Sequence, residues 1–375
     1  MSPEPGLQST PQSMRRQRLA KSIANRGLNL AVVTTPESVA YYSGNDIAGG
    51  NALLIHPDGK TTVLCDAYDE YNFATADPEL NLECYTYRSH LTTLLGDHLA
   101  PQRGTVGIEM NGVSATAWQI LTARTAANQL VSLDDVVAEQ RLVKDDDEIA
   151  LLRVAGDVTA RAVERVSDLL STGPITEAHL AEAVYSQLLE DGSDHLASQP
   201  YIKSGPRALH THARWSQRRI ETTDHVLVEL AACQRRYHAP IMRSRLADRD
   251  DRDYRETVDA VVAGRNAYLW GLRAGVTVAA LHTEHESVLD RHGMRHRNRH
   301  AGGYSLGVAF APLWGETNLL MVGPTNERAL QVGMALHLIS GLTDPGADIP
   351  HIGLSECVLV TETGYERLVE VPDFL

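Results

Sequence analysis

What the 375-residue sequence lacks narrows its possible roles before any motif is read. It has no run of about 18 or more apolar residues, so nothing in it reads as a membrane-spanning helix. Met1 to Gln12 is polar and Pro-rich without the apolar core of a signal peptide, and residues 1–13 are expected to be a disordered tail. Positive charge is in deficit. A formal net charge of -14 argues against a nucleic-acid backbone as partner, because such proteins need a basic patch. Cys65, Cys84, Cys233 and Cys357 are dispersed and lack any CxxC spacing. They fit free thiols in a reducing, cytoplasmic compartment better than a disulfide framework or a zinc site. No convincing internal repeat is visible, although helix pairs alternating with antiparallel hairpins hint at a duplicated half.

The length exceeds that of one ordinary domain, so two are expected. Arg15 to Arg26 reads as a basic amphipathic helix whose charges form a solvated face, and Leu28 to Thr34 as a buried strand. Leu53 to Ile55 and Thr62 to Leu64 flank Pro57-Asp58-Gly59, a turn with hairpin chemistry. With further strands and helices to about residue 140, this half reads as a small α/β domain. A charge-rich segment, Lys144 to Glu148, then leads into a long helix, its acidic first turn matched to the helix dipole. Glu177 to Asp191, Tyr254 to Gly271 and Leu281 to His292 read as helices. Leu306 to Phe310, Ala335 to Ile339 and Cys357 to Thr361 read as strands. The C-terminal half is therefore α+β, with helices covering an antiparallel sheet.

The stretch Asp224 to Leu246 reads as two apolar strands joined by a turn, and only Glu229 interrupts the first of them. A carboxylate in a buried strand is costly unless paired, so Glu229 is either functional or a structural ion-pair partner. His292, His296 and His300 have the i, i+4 spacing of a helical metal site, but Arg291, Arg295, Arg297 and Arg299 crowd them and disfavour a cation.

Arg141-Leu142-Val143-Lys144 with Glu148-Ile149, and upstream Pro36-Glu37-Ser38-Val39-Ala40-Tyr41-Tyr42-Ser43-Gly44, carry a resemblance that spans nearly the whole chain. It is to the pita-bread family, which includes creatinase, prolidase, aminopeptidase P, methionine aminopeptidase and ectoine hydrolase. The resemblance implies a creatinase/prolidase-like α/β domain over residues 14–140 and a pita-bread catalytic domain over 141–375. It also implies a homodimer. Metallopeptidase members carry five ligands to two metal ions. At those positions this chain has Glu229, Pro240 and Tyr304, then a site near Ile339, with Glu356 the one terminal carboxylate kept. Such a set cannot hold a metal pair, so neither metal nor cofactor is expected.

Ser204-Gly205-Pro206-Arg207-Ala208-Leu209-His210-Thr211-His212 resembles the segment leading to the family's active-site histidine, and its register favours His212 over His210. The hairpin from Glu229 to Pro240, with Gly303-Tyr304-Ser305 and Trp314-Gly315-Glu316, is closer to the ectoine-hydrolase branch. Two buried carboxylates facing one cavity would repel, and an amidinium or guanidinium between them would relieve this. The resulting expectation is a metal-independent hydrolase that cleaves a carbon-nitrogen bond in a small cationic amidine or guanidine. His212 would be general acid and base, and Glu229 and Glu356 nucleophile or cation anchors. His238, Tyr304, Tyr237, Trp314 and His210 are candidate substrate contacts, with packing roles open for His238 and Trp314. Arg207, Arg214, Arg235, Arg236 and Arg243 are unranked candidates for clamping a substrate carboxylate. The only partner expected besides a second subunit is that small molecule, with no nucleic acid and no membrane. A related enzyme acting on a secondary metabolite, a non-catalytic binding protein and a metal-dependent Xaa-Pro peptidase are the alternatives.

Overall fold

Short apolar runs punctuated by Gly, Asp and Pro build the first part of the chain into a sheet flanked by helices. The computed structural model describes residues 10–47, 49–87, 89–125, 129–299 and 302–375, and it divides into two units, Met1–Arg141 and Leu142–Leu375. The first unit runs α1 (Pro11–Asn25), β1 (Leu30–Val33), α2 (Pro36–Ser43), β2 (Ala52–Ile55), β3 (Thr61–Asp66), α3 (Glu70–Ala76) and β4 (Asn81–Tyr85). It continues with α4 (Ser89–Leu99), β5 (Val106–Ile108), α5 (Ala115–Arg124) and β6 (Leu130–Ser132), and α6 (Asp134–Leu142) leads out of it. The strands form one mixed sheet in the order β4-β3-β2-β1-β5-β6. Antiparallel pairing of β2 with β3 follows from the Pro57-Asp58-Gly59 turn, where Gly59 takes φ +87°.

Two details of this unit depart from the expectation. Residues 11–13 belong to α1, because the Thr10 hydroxyl accepts from Ser13 N–H at 3.1 Å and Pro11 suits the first helical position. Residues 1–9 of the expected tail lie outside the described residues. Arg15 and Arg16 are buried and not a solvated face; Arg16 pairs with Asp77 at 2.6 Å.

The second unit opens with α7 (Asp146–Ser171), started by a reciprocal capping box between Asp145 and Glu148. After β7 (Ile175–Thr176) and α8 (Glu177–Glu190) come β8 (Tyr201–Ser204), β9 (Arg219–Ile220), β10 (Val226–Gln234) and β11 (Tyr237–Arg245). Strands β11-β10-β8 form an antiparallel sheet, and α7 packs on it through Thr159, whose hydroxyl donates to Ala239 O at 2.9 Å and accepts from Ala232 N–H at 2.8 Å. The pattern then recurs. Helices α9 (Arg252–Gly271) and α10 (Val278–Arg291) precede β12 (Gly303–Ser305), β13 (Ala335–Asp344), β14 (Ile349–Val360) and β15 (Tyr365–Arg367), an antiparallel sheet in that order. The two sheets meet where β11 lies beside β14, joined by Met242 N–H to Ser355 Oγ at 2.7 Å and Gly353 N–H to Ser244 Oγ at 3.2 Å.

Leu306 to Phe310 is not a strand. Its side chains are largely buried, but beyond a bridge of Val308 to Tyr237 the segment is irregular, so its apolar run reflects packing over the sheets and not a ladder. No helix among the described residues is long and apolar enough to cross a membrane.

Candidate active site

Strand register assembles the site. Glu229 lies opposite Tyr201 on β8 and opposite Met242 on β11, so a row of three side chains points to one face of that sheet. On the other sheet Tyr304 faces His337, and Ile339, two residues along, faces Ser355. Counting back by twos along β14 from Ser355 gives Gly353 and His351 on the same side. These two faces enclose a cavity of about 140 Å³, lined by Tyr201, Glu229, Met242, Tyr304, Ile339 and His351. Thr211 and His212 contribute one wall and Pro312, Leu313 and Trp314 another, with Ser198 beside them. A dry cavity of roughly 150 Å³ holds a benzene-sized molecule, which sets the scale of the occupant.

Gly353 makes room for this cavity. A Cβ at that position would lie 2.2 Å from Met242 Sδ and 3.3 Å from Leu227 Cδ1. Gly353→Ala is expected to drive Met242 toward the cavity and to destabilise the protein by about 1–3 kcal/mol through overpacking. A thermal melt of the variant beside wild type checks this, and an unchanged melt would show that Met242 yields freely.

The electrostatics centre on one carboxylate and one ammonium. Glu229 keeps a water-accessible edge through the cavity but is otherwise enclosed by protein. Burial raises its pKa from 4.5 to about 7, against the attraction of Lys203. Lys203 is fully buried on β8, two residues from Tyr201 and on the same face. Burial lowers its pKa from 10.5 to about 8, against the attraction of Glu229. Its Nζ donates to His210 O at 2.9 Å, to Thr211 O, and to His351 Nδ1 at 3.1 Å. Tyr304 is half-buried at the cavity wall, and its hydroxyl is held protonated by desolvation and by the Glu229 charge. His337, pushed down to about 3 by burial, is a neutral ring bonded to Ser355 Oγ at 2.7 Å.

Of the sequence-derived candidates, the structure brings His212, Glu229, Tyr304 and Trp314 to one cavity. His212 is exposed at its edge, with its ring 6.1 Å from that of Tyr201. Trp314 packs edge-on against Tyr201 and donates to Ser198 O at 3.2 Å. Glu356 does not line it. Ser355 occupies the cavity side of β14, so its neighbour Glu356 points to the opposite face, where Arg265 approaches at 2.6 Å, Arg367 at 3.3 Å and Arg243 at 3.5 Å. The cavity therefore presents one carboxylate, Glu229, in place of the expected pair, and the Lys203 ammonium lies buried outside its lining.

His238 is a core residue. Its Nε2 accepts from Ala197 N–H at 3.1 Å and its Nδ1–H donates to Arg236 O at 3.0 Å, and burial lowers its pKa to about 3. The Tyr237 hydroxyl donates to Glu148 at the start of α7, at 3.0 Å, and His210 is exposed with its carbonyl turned to Lys203. Glu316 pairs with Lys144 at 2.9 Å in the core. Lys203 and His351 were not read from the sequence. A lysine alternating with apolar neighbours in Tyr201-Ile202-Lys203 has the pattern of a solvent-facing position, and nothing local marks His351.

Comparison with known families matches residues 150–362 to Metallopeptidase family M24, and residues 15–143 to the Creatinase/Prolidase N-terminal domain. The chain belongs to metallopeptidase family M24. It is 25% identical over 387 residues to the ectoine hydrolase of Halomonas elongata, covering 95% of this chain and 94% of that protein. It is 23% identical over 359 residues to the Xaa-Pro dipeptidase of Pyrococcus furiosus, covering 95% and 97%. The solved structure of dipeptidase PepE from Mycobacterium ulcerans superposes with a TM-score of 0.84 at 22% identity, covering 98% of each chain, which shows the shared two-domain pita-bread fold. A hydrolase of this family is what these relatives support.

The family name implies a metal, and the donor chemistry here does not fit one. Pro240 and Ile339 have no ligating side-chain atom, the Ser355 hydroxyl is engaged with Met242 N–H and His337, and Tyr304 is held as the neutral phenol. Lys203 adds positive charge beside the one remaining carboxylate. Among the described residues no group of three or more His, Cys, Asp or Glu side chains is arranged to hold a metal ion, and the part of the His292, His296 and His300 series within them forms none; His300 lies outside the described residues.

Proposed function

We propose that the protein hydrolyses a carbon-nitrogen bond in a compact amidine or guanidino compound without a metal. The observation that carries this reading is a benzene-sized cavity holding a single carboxylate, Glu229, together with His212, at positions where ligand-free side chains replace a metal set. In this mechanism the Glu229 carboxylate adds to the electrophilic amidine carbon, and His212 gives a proton to the departing nitrogen as the carbon-nitrogen bond breaks. His212, now neutral, takes a proton from water. The resulting hydroxide attacks the same carbon, the bond to Glu229 breaks, and the carboxylate is restored with an amide or urea as product. Tyr304 and Trp314 shape the pocket around a planar group. The similarity to an ectoine hydrolase supports this substrate class, and the Xaa-Pro dipeptidase relatives, similar to about the same degree, support the peptidase alternative.

The test is elemental analysis of protein purified without chelator, alongside turnover of ectoine and creatine in excess EDTA. Metal-free protein that remains active under EDTA is the expected result. Stoichiometric metal with activity lost to chelation, or cleavage of Xaa-Pro dipeptides on adding divalent ions, would return the peptidase reading. Saturable binding of an amidine without turnover would instead favour a binding protein.

A further inference from the structure

We infer that Arg214 is a specificity residue of this site, whose guanidinium takes a carboxylate of the substrate beside the open edge of the cavity. The preferred substrate is then an amidine or guanidino compound that also bears a carboxylate; its amidine end rests on the proposed function, and its carboxylate end on Arg214.

Tyr201 carries the geometry. Its ring lines the cavity, on the strand position directly opposite Glu229, and Arg214 Cζ lies over that ring, 4.6 Å from its centroid. His212, which also lines the cavity, has its ring 6.1 Å from the same tyrosine. Tyr201 is half-buried, whereas His212 and Arg214 are both exposed. Arg214 thus stands outside the lining, one aromatic ring away from it, on the rim that carries the proton-transfer histidine.

The position of this arginine is built by groups beneath it. Arg207 donates to Arg214 O at 2.5 Å and is itself held by Glu177 at 3.0 Å, while Lys203 Nζ donates to His210 O at 2.9 Å and to Thr211 O. A backbone tied at both ends of 210–214, with the guanidinium resting on a ring, leaves little freedom to be lost on binding. Among the described residues no acidic side chain pairs with the Arg214 guanidinium and no acceptor takes its N–H groups. Its planar fork of donors matches a carboxylate. Glu229 and Arg214, with Tyr201 adjoining both, give the site a negative and a positive end, which suits a zwitterion with its amidinium toward the first and its carboxylate toward the second.

The other cations considered for this role are placed elsewhere or engaged. Arg207 pairs with Glu177 at 3.0 Å, and Arg236 is buried over Phe310. Arg243 follows the cavity-facing Met242 on β11, so it points to the opposite face, toward Glu356. Arg235 lies in the turn beyond β10, about 20 Å along the strand from Glu229. Lys203 commits its three N–H groups to His210 O, Thr211 O and His351 Nδ1.

Compounds that differ only in the carboxylate supply the test: ectoine against 2-methyltetrahydropyrimidine, and creatine against 1,1-dimethylguanidine, each measured for kcat/KM and for binding by calorimetry. Wild type is expected to prefer the carboxylate-bearing member of a pair. Arg214→Gln is expected to lower both quantities for that member roughly 10- to 30-fold, the lower part of the range for a charge-assisted hydrogen bond because the guanidinium is exposed, and to leave the other member little changed. Arg214→Lys keeps the charge without the fork and should fall between, and the wild-type preference should shrink as salt is raised. Equal losses on both members, or no preference in wild type, overturn the role of Arg214 and leave the proposed function standing wherever an amidine is turned over. A binding preference that Arg214→Gln abolishes, with none of the four compounds turned over, keeps the role of Arg214 and overturns the proposed function. If none of the four binds, both fall.

Discussion

Glu229→Gln is expected to abolish turnover and, at pH 8, to make the protein more stable than wild type. Glutamine keeps the shape of the side chain but can neither attack a carbon nor carry a charge, so a nucleophilic or anchoring role is lost in full. The stability gain follows from proton linkage. The carboxyl has its pKa raised from 4.5 to about 7 by burial, so between these values the native state holds a proton that the unfolded chain has released. Below about pH 4 both states are protonated and the residue adds no penalty. As pH rises through 7 the native protein must carry a buried carboxylate, and stability falls. The variant escapes this, and the gain should reach up to about 3 kcal/mol at pH 8 and vanish near pH 4. Denaturant melts of both proteins at pH 5 and pH 8, read with turnover, check the prediction. A variant less stable than wild type at pH 8 would mean that Glu229 is a structural ion-pair partner.

Glu356→Ala is expected to do the reverse, destabilising the protein by about 3–5 kcal/mol while the folded fraction keeps most of its activity. The Glu356 carboxylate is buried among Arg265, Arg367 and Arg243. Arg265 has a second partner in Asp373, at 2.6 and 2.8 Å, and Arg243 also donates to Met242 O, Ser355 O and Pro372 O. Truncation would leave three guanidinium groups sharing one partly exposed carboxylate. Glu356→Gln should cost less, since the amide oxygen still accepts a hydrogen bond. Urea denaturation measures the first effect and activity normalised to folded protein the second. Unchanged stability with turnover as fully lost as in Glu229→Gln would restore Glu356 to the catalytic machinery.

Much of this architecture was legible because its signals are local. The apolar run around Glu229 announced both a buried strand and the one residue in it that needs explaining, and the acidic turn before Ile149 announced the start of a long helix. His212 was legible only through resemblance, since nothing in its neighbourhood sets it apart from His210 by pattern. Glu356 was misread because strand faces alternate with a period of two. A carboxylate one residue away from the cavity-facing Ser355 belongs to the other side of the sheet, however well its surroundings match. Lys203 was passed over for a complementary reason. Its cost and its partners arise only when β8, the 210–212 segment and β14 are brought together, and no local pattern encodes that meeting.

That lysine changes what the site depends on. A metal centre takes its positive charge from the surroundings and can be stripped, exchanged or left unfilled. Here the positive charge is written into the chain and arrives with folding. Under the metal-free mechanism proposed above, with burial raising Glu229 to about 7 and lowering Lys203 to about 8, acidity becomes the variable to which such a site answers, in place of metal supply.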